Sequence, residues 1–270
     1  MATVSINRTN LYYEESGRGS ALLFVHGTGG SANSWDGQVE RFAPFFRCVT
    51  YDRRGNLRSP LGDIGQYDPA LHVQDAAELI RALDLAPCVL VASSGGASIA
   101  FHVVCNYPEL LRGAILSEPG LYSLDPEWGA AFLSGLRTRI QPVLAGTDKR
   151  RVVDAFIEYI DAAAWAAVPE SRREKYRDNY PALLREVQAG RPSLSVGSLD
   201  SVKVRCLILT GSNSHTTFKT IGRVLAAGIP DAELVEVEGS GHLIYLDKPD
   251  AFANAVLRFA RQLVQSAASG

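Results

Sequence analysis

Apolar runs and stretches of helical spacing alternate along most of this chain. ALLFVHG (21–27) is a continuous apolar run ending in glycine, the pattern of a strand buried on both faces. FRCVTYD (46–52) is another, and CVLVA (88–92), RGAILSE (112–118), VRCLILTG (204–211) and AELVEVEG (232–239) are further strands. LYYEE (11–15) alternates enough for an early strand. ALHVQDAAELIRALDL (70–85) carries apolar residues at helical spacing, helical patterns lie between most of the strands, and DAFANAVLRFARQLV (250–264) closes the chain. Strand–helix alternation of this kind predicts the α/β class: a doubly wound, mostly parallel sheet with helices on both faces.

The alternation breaks over roughly 121–200. That stretch is helix-like, rich in Ala, Leu, Arg and Tyr, and punctuated by Pro126, Pro142, Pro169, Pro181 and Pro192, with no strand pattern. It reads as an α-helical lid (121–200) inserted into a core formed by 1–120 and 201–270. The lid is expected over the C-terminal edge of the sheet, where open α/β sheets bind ligands.

Composition narrows the function classes. The 270 residues are 46% hydrophobic and 21% charged with a net charge of -2, which allows a sizeable core and argues against nucleic acid as a partner. The N-terminal MATVSINRTN has no apolar segment of a secretory signal. The most apolar run, 89–105, has Ser-Ser-Gly-Gly in its middle, so it reads as strand, turn and helix rather than a membrane span. Cys48, Cys88, Cys105 and Cys206 lie in apolar strand or helix patterns without a CxxC pair. Buried free thiols in a reducing cytoplasm are the expectation.

Three stretches carry chemistry. In VLVASSGGA (89–97) a buried strand runs into Ala92-Ser93-Ser94-Gly95-Gly96 and then a helix. A nucleophile on so tight a turn needs small residues two before and two after it, and Ser94 is the candidate, with Ala in the first glycine position of G-x-S-x-G. FVHGTGGSANSWD (24–36) ends a strand in His-Gly and continues in small residues. Its Thr28 N–H, with that of Gly95, would form an oxyanion hole, each donor worth about 3 kcal/mol in the transition state. His26 reads as structural. In VEVEGSGHLIYLDKP (235–249) His242 follows a late strand and precedes the closing helix, a position suited to a general base for Ser94. His72 and His102 fall within helical patterns and read as satisfied structural side chains. His215 lies near the edge of the site as a candidate substrate contact.

HGTGG, YDRRGNLRS (51–59), ASSGG and GSGH, in that order, resemble the α/β-hydrolase superfamily over essentially the whole chain. YDRRGNLRS is similar to the family's D-x-R-G-x-G-x-S turn, with Leu57 at the second glycine. The resemblance implies that Asp52 and Arg54 are scaffold. It also implies a triad acid three residues after the strand-end Gly211, where this chain has Ser214, which cannot carry a negative charge. Glu118, at the end of the strand after the nucleophile helix, projects from the same sheet edge as Ser94 and the His242 loop, and is the expected acid. Asp125, Asp200 and Asp247 stay open as alternatives. Haloalkane dehalogenases and zearalenone-type lactonases are branches of the superfamily with the acid after this strand. The lactonases use Ser, Glu and His, and are similar to this chain at SSG (93–95) and DNYPALL (178–184). Where they carry a Trp, this chain has Leu183.

The expectation is therefore a serine hydrolase, a carboxylic ester hydrolase or lactonase working through an acyl-enzyme. No metal or organic cofactor is implied. Trp128, Phe132, Leu136, Tyr180 and Leu183 are candidate pocket walls, pointing to a moderately large apolar ester or lactone as the small-molecule partner. Neither nucleic acid nor a membrane is expected as a partner, and a homo-oligomer is left open. Other hydrolase-fold chemistry (C–C bond hydrolysis or a lyase step), a ligand receptor with little turnover, and a cofactor-free oxidase or peroxidase-like activity stay open as alternatives.

Overall fold

A computed structural model describes residues 2–63, 67–189 and 197–268. The chain opens with strands β1 (Ala2–Ile6), β2 (Thr9–Ser16) and β3 (Ala21–Val25), helix α1 (Asp36–Phe42) and β4 (Arg47–Tyr51). Helix α2 (Leu71–Ala82), β5 (Cys88–Ser93), α3 (Gly95–Asn106) and β6 (Leu111–Ser117) follow. Four helices then come in succession: α4 (Pro126–Ala145), α5 (Val152–Ala167), α6 (Glu170–Arg177) and α7 (Tyr180–Ala189). The chain ends with β7 (Cys206–Gly211), α8 (Thr216–Gly228), β8 (Ala232–Val237), α9 (Ile244–Asp247) and α10 (Pro249–Ala268).

The strands form one 8-stranded sheet in the order β1-β2-β4-β3-β5-β6-β7-β8. It is parallel from β4 to β8, with β1 and β2 antiparallel at one edge. The continuous apolar runs are explained by burial on both faces. Along β3, Leu22 and Phe24 pack into one core while Ala21, Leu23 and Val25 pack into the other. β5 divides the same way, Val89 and Val91 against Cys88, Leu90 and Ala92. Side chains of a strand alternate faces, so a strand covered by helices on both sides loses the polar half of its pattern. The sheet is thus doubly wound and mostly parallel, as the alternation predicts.

The edge strand β1 is absent from the sequence reading. It is short and half-exposed, with Val4 and Ile6 alternating with exposed Thr3 and Ser5, and so carries no apolar run. The cysteines are free thiols, but Cys105 is exposed, contrary to the expectation that all four are buried. It lies near the end of α3, beyond the helix face that the sheet covers.

Helices α4–α7 have a core of their own, in which Leu136, Ile140, Val152, Trp165 and Leu183 meet. Polar ties join them to loops at the C-terminal edge of the sheet. Asn179 Nδ2 donates to Gly30 O (2.8 Å), Arg53 Nη2 donates to Glu186 Oε1 (2.8 Å), and the Leu243 N–H donates to Asp161 Oδ2 (2.9 Å). Pro192 lies outside the described residues. Among the described residues no helix is long and apolar enough to cross a membrane.

Candidate active site

Strand β5 ends at Ser93 and α3 begins at Gly95, so Ser94 alone turns the chain. Its φ of 55° and ψ of -123° lie outside the regions open to most side chains, at a cost of about 1–3 kcal/mol. The small neighbours have measurable reasons. A Cβ on Gly96 would stand 2.3 Å from Val25 O and 2.4 Å from His26 O, backbone atoms that cannot yield. A Cβ on Gly95 would meet Thr28 Oγ1 at 2.4 Å and Thr28 N at 3.3 Å. The Ser94 N–H donates to Ser117 O (2.9 Å), tying the turn to the next strand.

The same closeness sets Thr28 beside the first residue of α3. A helix's first N–H groups have no partner within the helix, so the Gly95 amide is open to an incoming oxygen. The loop that carries Thr28 is fixed by His26. Its Nδ1–H donates to Gly27 O (2.9 Å), while Nε2 accepts from the Arg53 N–H (3.0 Å). Burial, then the Arg53 charge, push its pKa well below the ordinary value, so the ring is neutral. His26 is a structural residue, as its place in the sequence suggests.

Glu118 follows the end of β6 and is fully buried. Its Oε1 accepts the Gly211 N–H (2.7 Å) and its Oε2 accepts the Ser214 hydroxyl (2.5 Å). His242 Nδ1 lies 3.0 Å from the same Oε2. The serine at the family's usual acid position therefore donates a hydrogen bond to a carboxylate that comes from the neighbouring strand. Among the described residues, Glu118 is the carboxylate that pairs with His242. Of the alternatives, Asp200 is exposed, Asp125 stands at the N-cap position of α4 without a side-chain cap bond, and Asp247 accepts the Gly241 N–H (2.8 Å). His242 is buried beneath the Phe218 ring (4.2 Å between centroids), and its Nε2 has no hydrogen-bond partner among the described residues.

Behind this group, Asp52 Oδ1 accepts the Ala32 N–H and its Oδ2 accepts Arg58 Nε (2.6 Å). Arg54 grips Asp75 through two 2.7 Å bonds, both residues buried. These contacts fit the scaffold reading of Asp52 and Arg54.

Ser94, Thr28 and Gly95 open onto a cavity of ≈ 150 Å³. Of the expected walls, Phe132 and Leu136 line it. The other candidates do not. Trp128 is 52% exposed at the start of α4. Leu183 is fully buried against Gly29, in the core of the helical insertion, and half-buried Tyr180 packs on that same core. His215 is exposed; its Nδ1 accepts the Thr217 N–H to cap α8, and its ring meets the Phe132 ring edge-on.

Polar groups that the sequence reading passes over also line the cavity. His72 and His102, expected to be structural, both face it. His72 Nε2 lies 2.7 Å from the Tyr67 hydroxyl, and its Nδ1 has no partner among the described residues. Burial, then Arg53, depress the His72 pKa, and burial lowers that of His102 to about 4. Arg53, paired with Glu186, completes a polar wall. Helical spacing gives a signal for His102: Gly95, Ser98, Ile99 and His102 share one face of α3, and all line the cavity.

Comparison with known proteins agrees with this fold. Residues 22–255 match the family described as the alpha/beta hydrolase family. A Mycobacterium tuberculosis protein named "Putative non-heme bromoperoxidase BpoC" is 25% identical over 259 residues, 93% of this chain and 97% of that one. A thermophilic esterase from Thermogutta terrifontis superposes with a TM-score of 0.75 at 22% identity, over 97% of this chain and 99% of that one. The enol-lactonase from Burkholderia xenovorans superposes with a TM-score of 0.76 at 19% identity, over 96% and 99%. With the family match spanning most of the sequence, the chain belongs to the alpha/beta hydrolase family.

Proposed function

We propose that this protein is a serine hydrolase that cleaves a carboxylic ester or lactone through an acyl-enzyme. One observation carries the reading: His242 pairs with Glu118 at 3.0 Å while its other ring nitrogen is left without a partner, beside a serine on a strained strand-to-helix turn. A neutral imidazole that donates from Nδ1 to a carboxylate presents a bare, basic Nε2.

In this mechanism Nε2 takes the Ser94 proton as Oγ attacks the carbonyl carbon. The Thr28 and Gly95 amides receive the developing oxyanion. The C–O bond to the alcohol breaks, and the alcohol leaves with the proton from Nε2. Water, deprotonated by the same nitrogen, then attacks the acyl carbon; the C–Oγ bond breaks, Nε2 returns the proton to Ser94 Oγ, and the acid is released. Glu118 holds the ring in its tautomer and stabilises the imidazolium.

The test is covalent labelling by an alkyl fluorophosphonate, followed by intact mass, alongside ester turnover. The expected result is one adduct in the native protein, none in Ser94→Ala, and loss of turnover with that variant. Absence of labelling in the folded native chain would overturn the reading. Labelling without turnover of any ester or lactone would move the chain to another hydrolase-fold chemistry.

A further inference from the structure

The space around Ser94 is divided. The ≈ 150 Å³ cavity lies on one side, and a second chamber of ≈ 40 Å³ lies on the other. Ser94 and Thr28 line both. So do Phe156 and Ile160 of α5, which therefore form the partition. His242 lines only the smaller chamber, whose far wall includes Ile157, Trp165 and Leu246.

Resting on the reading of Ser94 as nucleophile and His242 as base, this asymmetry orients the substrate. The base must return its proton to the departing oxygen, so the alcohol fragment lies on the side that His242 faces. The acyl fragment then fills the larger cavity. On this measure, a void needs roughly 10–15 Å³ per water, and one of about 150 Å³ takes a benzene-sized guest. The small chamber thus has room for a one- or two-carbon alcohol, and the large one for a compact acyl group. A lactone ties its acyl and alkoxy ends into one ring, which would have to occupy both chambers across Phe156 and Ile160. We propose that the substrate class is open-chain esters of methanol- or ethanol-sized alcohols with a compact acid, with α5 as the wall that enforces it.

Methyl hexanoate and pentyl acetate test this cleanly, because they are isomers with similar leaving-group chemistry and opposite demands on the two chambers. In the native protein kcat/KM is expected to favour methyl hexanoate by about tenfold or more. Leu246→Ala and Ile157→Ala, which enlarge only the small chamber, should each narrow that ratio. Ile160→Ala, which breaches the partition, should raise turnover of a six-membered lactone relative to methyl hexanoate. Equal or reversed preference in a native protein that still labels with fluorophosphonate would overturn the chamber assignment alone. A ratio unmoved in both folded small-chamber variants would overturn it too. A native chain that neither labels nor hydrolyses either ester would overturn the nucleophile reading, and this inference with it.

Discussion

Glu118 has a left-handed backbone (φ 53°), is fully buried, and has both carboxylate oxygens engaged. A buried carboxylate is tolerated only when its lone pairs are satisfied, and the Gly211 amide, the Ser214 hydroxyl and His242 do that. Glu118→Gln replaces the charge with an amide of the same shape. Its kcat is expected to fall by about 10³–10⁴-fold with KM little changed, measured on any ester that is turned over. Ser214→Ala removes one donor to the carboxylate and should cost about tenfold; an equal loss in both variants would contradict the division of roles. His102 gives a second residue-scale prediction. Burial lowers its pKa from 6.5 to about 4, so the folded state binds fewer protons than the unfolded one. Stability should therefore fall as pH drops from about 6.5 towards 4. His102→Gln should flatten that slope, read from urea midpoints across this range. The placement of Glu118 beside His242 was legible in the sequence because RGAILSE ends a strand adjacent to the one that carries Ser94. His72 was not, because a lone histidine in a helical pattern carries no sign of which face meets solvent, core or cavity; His102 had one sign, its helical spacing from Gly95.

Among the elements, β5 and α3 were legible almost to the residue, because a tight turn permits so few side chains. The insertion was legible as helices and poorly as surfaces. Trp128 is one turn ahead of Phe132 on α4, and so lies on roughly the same stripe, yet the stripe outruns its partner and leaves the indole exposed. Periodicity identifies a face but not the length over which it is covered. Helix α5 hides a further feature. At Asp161 the backbone leaves helical geometry (φ -156°, ψ 80°). The freed carboxylate accepts the Ala164 N–H (3.0 Å) and the N–H of Leu243, the residue after His242. With Asp247 on the Gly241 N–H, carboxylates hold the amides on both sides of the histidine. Asp161→Ala should lower stability by about 1–3 kcal/mol through the orphaned amides. It should also lower kcat more than KM, because the base loses its support. Asp161→Asn keeps one acceptor oxygen for the two N–H donors, so it should recover only part of each loss; no recovery at all would point to charge rather than position.

At the scale of the whole molecule, the site assembles from residues far apart in sequence because β5, β6 and β7 are neighbours in one parallel sheet. Parallel strands end on the same edge, so Ser94, Glu118 and the Gly211 amide meet there without any local sequence encoding it. The buried Arg54–Asp75 pair braces the loop after β4 against α2. Arg54→Met strands the Asp75 charge and should cost about 3–5 kcal/mol, seen as a lower denaturation midpoint. The tie from Asp161 to Leu243 has one more consequence. The helix that partitions the two chambers also steadies the proposed base, so motion of α5 away from the sheet takes an acceptor from the His242 loop. Placing the wall and placing the proposed base then both draw on Asp161. A variant in which α5 stands off the sheet should therefore turn over slowly even where it binds substrate freely.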